Sequence, residues 1–281
     1  MSDLIPYSDF GGSGRTIIFL HGNGFPPECY SPLLNILATQ YHVIGMHSRT
    51  MWQKEVPDSI LTWKIFADDL TLFIKQHQLQ DAILVGHSFG ALSALRTLQN
   101  DQTLRNPLIM IDPVMVSPLR LIKLYLATWK KKTTMSQKLK QAALRRKRVF
   151  SSLEEAEKTY TGKPIFRLFS QQQMKAFVEG LLRLVDGKYQ LKISPEWEAK
   201  IYSTAIYKDI DIFLKIPFFK ERSLVIWGTE SDTFRIDAVN FLKFVNKNFL
   251  IKKIEHATHL VPFERPEATA TLILEILSEK L

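Results

Sequence analysis

Ile83-Leu84-Val85-Gly86-His87-Ser88-Phe89-Gly90 is the stretch that decides the fold of this chain. Its three leading apolar residues read as a strand buried on both faces, as parallel sheets require. Ala91-Leu92-Ser93-Ala94-Leu95-Arg96-Thr97-Leu98 follows, with apolar residues three and four apart, the spacing of a helix face. Between them Gly86 to Gly90 spells Gly-x-Ser-x-Gly, a strand turning sharply into a helix. Such a turn forces its middle residue into a strained backbone, and the residues two away must lack side chains to let the chain pass. It also lifts the Ser88 hydroxyl clear of the sheet, at a helix N-terminus whose N–H groups favour developing negative charge. Ser88 is therefore the candidate nucleophile.

Working outward, the same rhythm repeats. Thr16 to Leu20 reads as a central strand running into His21-Gly22-Asn23-Gly24-Phe25-Pro26-Pro27, a loop able to bring backbone N–H groups close to a ligand. A short edge strand is expected over 4–7, a helix over 30–38, a strand over 43–46 and a longer helix over 58–76. Leu108 to Ile111 is a further strand, ending in Asp112-Pro113. Strands return at 223–227 and 250–254, separated by a helix over 237–245 and closed by another over 266–279. Alternation of this kind predicts an α/β fold around a mostly parallel sheet. From Val114 to Ile216 the alternation stops and helical patterns take over, Leu119 to Leu126 and Met174 to Leu182 among them. The expected organisation is a core of 1–113 and 217–281 with a mostly helical cap of 114–216.

Composition narrows the class. A chain of 281 residues, 46% hydrophobic and 23% charged, can bury a large core as one α/β domain with an insertion. Its N-terminus has no basic region followed by an apolar run, and no stretch approaches the roughly 20 apolar residues of a membrane span. Neither a signal peptide nor a transmembrane helix is expected, and the expected compartment is the cytoplasm. The single cysteine, Cys29, excludes an internal disulfide and a cysteine-ligated metal cluster. The net charge of +9 belongs to one segment: Pro113 to Leu153 holds eleven basic residues and no acidic one. Within it the run from Lys130 to Arg148 is read as a solvated face or as a contact for anionic lipid or an acidic substrate, the interleaved Leu139, Ala142, Ala143 and Leu144 suiting an interfacial helix. Nucleic acid is disfavoured, because no recognised binding motif accompanies the charge.

Two loops at strand carboxyl ends carry the remaining chemistry, where open α/β sheets build their sites. One is Gly228-Thr229-Glu230-Ser231-Asp232; the other is Glu255-His256-Ala257-Thr258-His259-Leu260-Val261-Pro262-Phe263-Glu264-Arg265-Pro266. A serine hydroxyl is a weak nucleophile at neutral pH and needs a base, which in turn needs a carboxylate to fix its tautomer. Serine, acid, histidine is the chain order here. With these motifs in this order, the chain resembles an α/β-hydrolase with a lid or cap along nearly its whole length. Asp9-Phe10-Gly11-Gly12-Ser13-Gly14, the His21 to Pro27 loop, Ile111-Asp112-Pro113-Val114 and Pro195-Glu196-Trp197-Glu198-Ala199 further resemble a group of bacterial hydrolases of generally unassigned substrate.

The resemblance implies Ser88 as nucleophile, His259 as base and Asp232 as acid, with an oxyanion hole from the backbone N–H of Phe89 and of Asn23 or Gly24. Glu230 and Asp112 are the rival acids, and His256 the rival base; the Pro-Phe-Glu-Arg-Pro run after His259 favours His259. His21 and His87 are read as structural partners, and His47 stands where many relatives carry an aspartate. A serine nucleophile directs attack to an acyl carbonyl, so ester hydrolysis is the expected reaction, with no metal and no organic cofactor. The expected substrate is a small ester with a hydrophobic acyl group, and the apolar residues of 119–129 and 174–184 are read either as the wall of its pocket or as ordinary cap–core packing. A carbon–carbon bond hydrolase, a cofactor-free haloperoxidase or perhydrolase, and a ligand-binding protein of the same fold are the alternatives.

Overall fold

The computed structural model describes residues 4–52, 55–129, 135–204 and 209–279. Its strands are β1 (Tyr7–Asp9), β2 (Thr16–Leu20), β3 (His42–Met46), β4 (Ile83–His87), β5 (Leu108–Ile111), β6 (Val149–Phe150), β7 (Leu182–Val185), β8 (Lys188–Leu191), β9 (Ser223–Gly228) and β10 (Phe249–Ile254). Its helices are α1 (Ser31–Leu37), α2 (Lys64–Gln76), α3 (Phe89–Asn100), α4 (Pro118–Trp129), α5 (Met135–Leu144) and α6 (Leu153–Thr161), followed by α7 (Gln171–Leu181), α8 (Pro195–Ser203), α9 (Asp211–Lys215), α10 (Ile236–Val245), α11 (Val261–Glu264) and α12 (Pro266–Ser278).

Seven strands form the central sheet in the order β1-β3-β2-β4-β5-β9-β10. All its neighbours pair in parallel except β1, which joins β3 antiparallel at the edge. Successive side chains alternate across the sheet. Ile17, Phe19, Ile83, Val85, Ile109 and Ile111 pack with Leu33, Leu37 and Ile273 on the side of α1 and α12. Ile18, Leu20, Leu84, Met110 and Val225 pack with Phe66, Leu70, Leu92 and Leu95 on the side of α2 and α3. Two covered faces explain why these strands read as unbroken apolar runs. The register sets His87 beside Ile111 and Ile111 beside Ile226, so β4 and β5 finish level and β9 runs two residues further, to Gly228.

The stretch between β5 and β9 departs from a purely helical expectation. It carries α4 to α9, but also an antiparallel sheet of order β6-β8-β7. Leu182 to Leu184, expected to extend a helix, lie in β7. Asp186 (φ +48°) and Gly187 (φ +73°) close the β7–β8 hairpin with the two positive φ angles that suit a right-twisted pair of strands. The helix expected over 58–76 likewise begins only at Lys64, and Pro57–Ser59 forms a 3₁₀ turn instead.

The apolar residues of α7 take the core-packing alternative. Met174, Phe177, Val178 and Leu181 of α7 join the core beside Cys29, Tyr30 and Phe263. On α4, Leu121 is buried, whereas Leu119 and Ile122 are 63% and 57% exposed. Lys130, Lys131 and Lys132 and the side chains of Tyr125 and Trp129 lie outside the described part. Among the described residues no helix is long and apolar enough to cross a membrane.

Candidate active site

Ser88 sits between β4 and α3 with φ +57° and ψ −117°, the strained turn read from the sequence. Its flanking glycines are required by contact. A Cβ on Gly86 would stand 2.6 Å from the Ala91 amide nitrogen, and one on Gly90 would collide with the Leu20 carbonyl of β2. The hydroxyl is turned toward His259, whose Nε2 lies 2.8 Å from Ser88 Oγ. His259 Nδ1 lies 2.7 Å from Asp112 Oδ1. With Nδ1–H donating to the carboxylate, Nε2 is left to accept the serine proton.

The carboxylate in this line is Asp112; the structure does not bring Asp232, expected here, to His259. The reason is strand order. β5 lies directly between β4 and β9, so the residue after it emerges beside Ser88. Asp112 N–H donates to the Ile226 carbonyl (2.8 Å), and a φ of +39° swings the fully buried side chain toward His259. Gly228 N–H donates to Asp112 Oδ2 (3.0 Å) and Ser231 Oγ–H to Oδ1 (2.6 Å), fixing the carboxylate from the β9 loop. That loop turns Ser231 inward, where its hydroxyl also accepts from the amides of Thr233 and Phe234. Asp232 is consequently turned outward and exposed, bonded to Thr233 Oγ1 at 3.2 Å. Glu230 faces the surface, where it pairs with Arg167 (3.0 Å). His256 is exposed as well, 3.6 Å from Glu230.

The loop bearing His259 is anchored twice. Glu264, almost wholly buried, accepts from Thr258 N–H (2.7 Å) and Thr258 Oγ–H (2.6 Å), which gives the Pro-Phe-Glu run after His259 its physical role. The second anchor involves His87. Gly22 N–H donates to Tyr30 Oη (2.9 Å), Tyr30 Oη–H to His87 Nδ1 (2.8 Å), and His87 Nε2–H to the His259 carbonyl (2.9 Å). This chain of donors needs a neutral imidazole, and burial does push the His87 pKa well below its ordinary value. His21 is buried too and lowered to about 4, with burial the main cause; its Nδ1 donates to the Gly22 carbonyl (2.9 Å). Tyr30 carries no motif signal, and only its spacing from His87 in three dimensions reveals it.

The expected oxyanion residues flank this line. Phe89 opens α3 immediately after Ser88. Asn23 is buried in the loop after β2, its Nδ2 donating to the Glu198 carbonyl (3.1 Å). His47 lies away from Ser88, with Nε2 2.7 Å from Ser8 Oγ and 3.6 Å from Glu28.

Comparison with known proteins adds the wider context. A model of the alpha/beta hydrolase family matches residues 17–272. The AB hydrolase superfamily protein YisY of Bacillus subtilis (strain 168) is 35% identical over 86 residues, 30% of this chain and 32% of YisY. The 2-(acetamidomethylene)succinate hydrolase of Mesorhizobium japonicum is 28% identical over 101 residues, 36% of either chain. The matched stretch thus spans about a third of the length of these two relatives. Among solved structures, E-2-(acetamidomethylene)succinate hydrolase superposes with a TM-score of 0.76 at 18% identity, covering 97% of this chain and 94% of its own. A novel esterase from Mycobacterium tuberculosis superposes with a TM-score of 0.72 at 16% identity, covering 99% and 89%. At such identities the likeness shows the fold.

Proposed function

The chain belongs to the alpha/beta hydrolase family, and we propose that it is a serine hydrolase cleaving a carboxylic ester through an acyl-enzyme on Ser88. The observation carrying this reading is the unbroken line from Ser88 Oγ through His259 to Asp112. In the proposed cycle His259 takes the serine proton as Oγ attacks the acyl carbon. The resulting oxyanion is held by the N–H groups of Phe89 and Asn23, and the leaving alcohol collects the proton from His259. Water then attacks the acyl-enzyme with His259 again as base. Asp112 orients the imidazole and stabilises its charged form.

A hydrophobic acyl group is best sought beside Phe25, which is partly exposed next to Asn23 and packs on Phe177 and Phe263. One observation favours a second reading. A sequence relative and a similar solved structure are both named as acetamidomethylene succinate hydrolases, which supports cleavage of an amide-type bond by the same machinery. A ligand-binding protein of this fold would bind without turnover. Hydrolysis of p-nitrophenyl esters from short to long acyl chains, by wild type and Ser88→Ala, tests the proposal. Turnover that vanishes in the variant supports it; turnover that survives in Ser88→Ala contradicts it.

A further inference from the structure

Pro195-Glu196-Trp197-Glu198-Ala199 takes no part in the chemistry above, yet the fold brings it against the loop that follows β2. Besides the bond from Asn23 Nδ2 to the Glu198 carbonyl, the turn at Gly24 (φ +77°) lies flat on the Glu198 side chain. A Cβ at Gly24 would stand 2.9 Å from Glu198 Cδ and 3.1 Å from Arg146 Nη1. Arg146 and Glu198 form an ion pair, each side chain only 10% exposed. Arg146 Nη2 also donates to Tyr160 Oη (3.1 Å), and the guanidinium faces the Tyr160 ring at 5.8 Å. Three separate elements converge here: Arg146 from the link between α5 and β6, Tyr160 from α6 and Glu198 from α8.

Such a pair is weak evidence for stability, because removing two charges from water offsets most of their attraction. Its location gives it another consequence. A bare carboxylate against Gly24 would oppose negative charge forming at the neighbouring backbone N–H groups, and burial would strengthen that opposition. We infer that Arg146 is a positioning residue of the active site: by neutralising Glu198 it holds the Asn23–Gly24 turn and keeps the oxyanion position free of an opposing charge. This rests on the acyl-transfer reading above, with Asn23 N–H as an oxyanion donor.

Several ionisable groups surround Glu198. Besides Arg146 they are Tyr160, Lys163 with Nζ 4.3 Å from the centre of the Tyr160 ring, and Tyr202 on α8, which also feels Asp232. Burial raises both phenols, so neither supplies charge near neutrality, and it lowers Lys163.

The test measures kcat and KM on p-nitrophenyl acetate for wild type, R146M, E198Q, the double variant R146M/E198Q and S88A. Expected is a kcat about 10- to 100-fold lower in R146M with KM little changed, the size of losing one oxyanion contribution or less. The double variant should return to within about threefold of wild type, since no opposing charge remains. A double variant no better than R146M would overturn the inference. Where R146M does not fold, R146K, which keeps the charge on one donor, replaces it. Activity within about threefold of wild type supports neutralisation, and a large loss overturns it. S88A separates the two levels: an inert S88A with an unrescued double variant removes only the role of Arg146, whereas an active S88A removes the acyl-enzyme reading and this inference with it.

Discussion

Asp112 accepts from His259, Ser231 and Gly228, while Asp232 bonds Thr233 at the surface. Replacing Asp112 with Asn should lower kcat by about 10⁴-fold, the cost of losing the group that fixes the tautomer of the base. Asp232→Asn and Glu230→Gln should stay within about twofold of wild type, as surface changes away from the reacting atoms. Steady-state kinetics on one ester series compares all three. Ser88 and His259 could be picked out from local pattern alone, because each sits in its own motif. The acid could not: three carboxylates follow two suitable strands, and strand order, a non-local property, brings the one after β5 to His259. A second residue-level prediction concerns pH. His21 is held neutral with a pKa near 4 against an ordinary 6.5. The unfolded chain therefore binds the extra proton below about pH 6.5. Its contribution is full above that pH and is lost as pH falls toward 4, amounting to about 3 kcal/mol. His87 acts in the same direction. Urea unfolding at pH 7 and pH 5 should show the loss; equal midpoints would contradict it.

Elements were legible wherever periodicity alone decides them. The parallel strands of the central sheet and α3 follow from runs of apolar residues, and the observed ends differ from expectation by a residue or two. The β7–β8 hairpin was missed although Asp186-Gly187 is a strong turn signal, because the leucines before it continue the helical spacing of α7. Packing of α7 onto the core, one of the two readings of its apolar residues, depends on Gly180. A Cβ there would collide with the backbone of Glu28 and Cys29. Gly180→Ala should thus destabilise by about 1–3 kcal/mol through overpacking, despite the better helix propensity of alanine. Thermal unfolding decides: a melting temperature at or above that of wild type would show that α7 does not need this close approach.

At the scale of the whole molecule, the basic stretch of 113–153 divides. Arg146, Lys147 and Arg148 pair with Glu198, Glu155 and Glu196, charges supplied from elsewhere in the fold. Lys123, Lys138, Lys140 and Arg145 are exposed, near the solvent-facing Leu119 and Ile122 of α4 and Leu139 of α5 in sequence. Among the described residues we propose that the lipid contact falls to these four, Lys123 lying outside the run of 130–148 for which the sequence suggests it. Changing them together to Gln should weaken sedimentation with anionic vesicles, with Arg148→Gln alone having little effect; unchanged sedimentation of the quadruple variant would remove that contact. The central claim, a nucleophilic Ser88 activated through His259 and Asp112, can be tested without knowing the substrate. A fluorophosphonate probe is added to wild type, Asp112→Asn and Asp232→Asn, and the labelled residue is located by peptide mass spectrometry. The account predicts label on Ser88 alone, at wild-type rate in Asp232→Asn and far more slowly in Asp112→Asn. Label on another residue, or slow labelling in Asp232→Asn with Asp112→Asn unaffected, would contradict it.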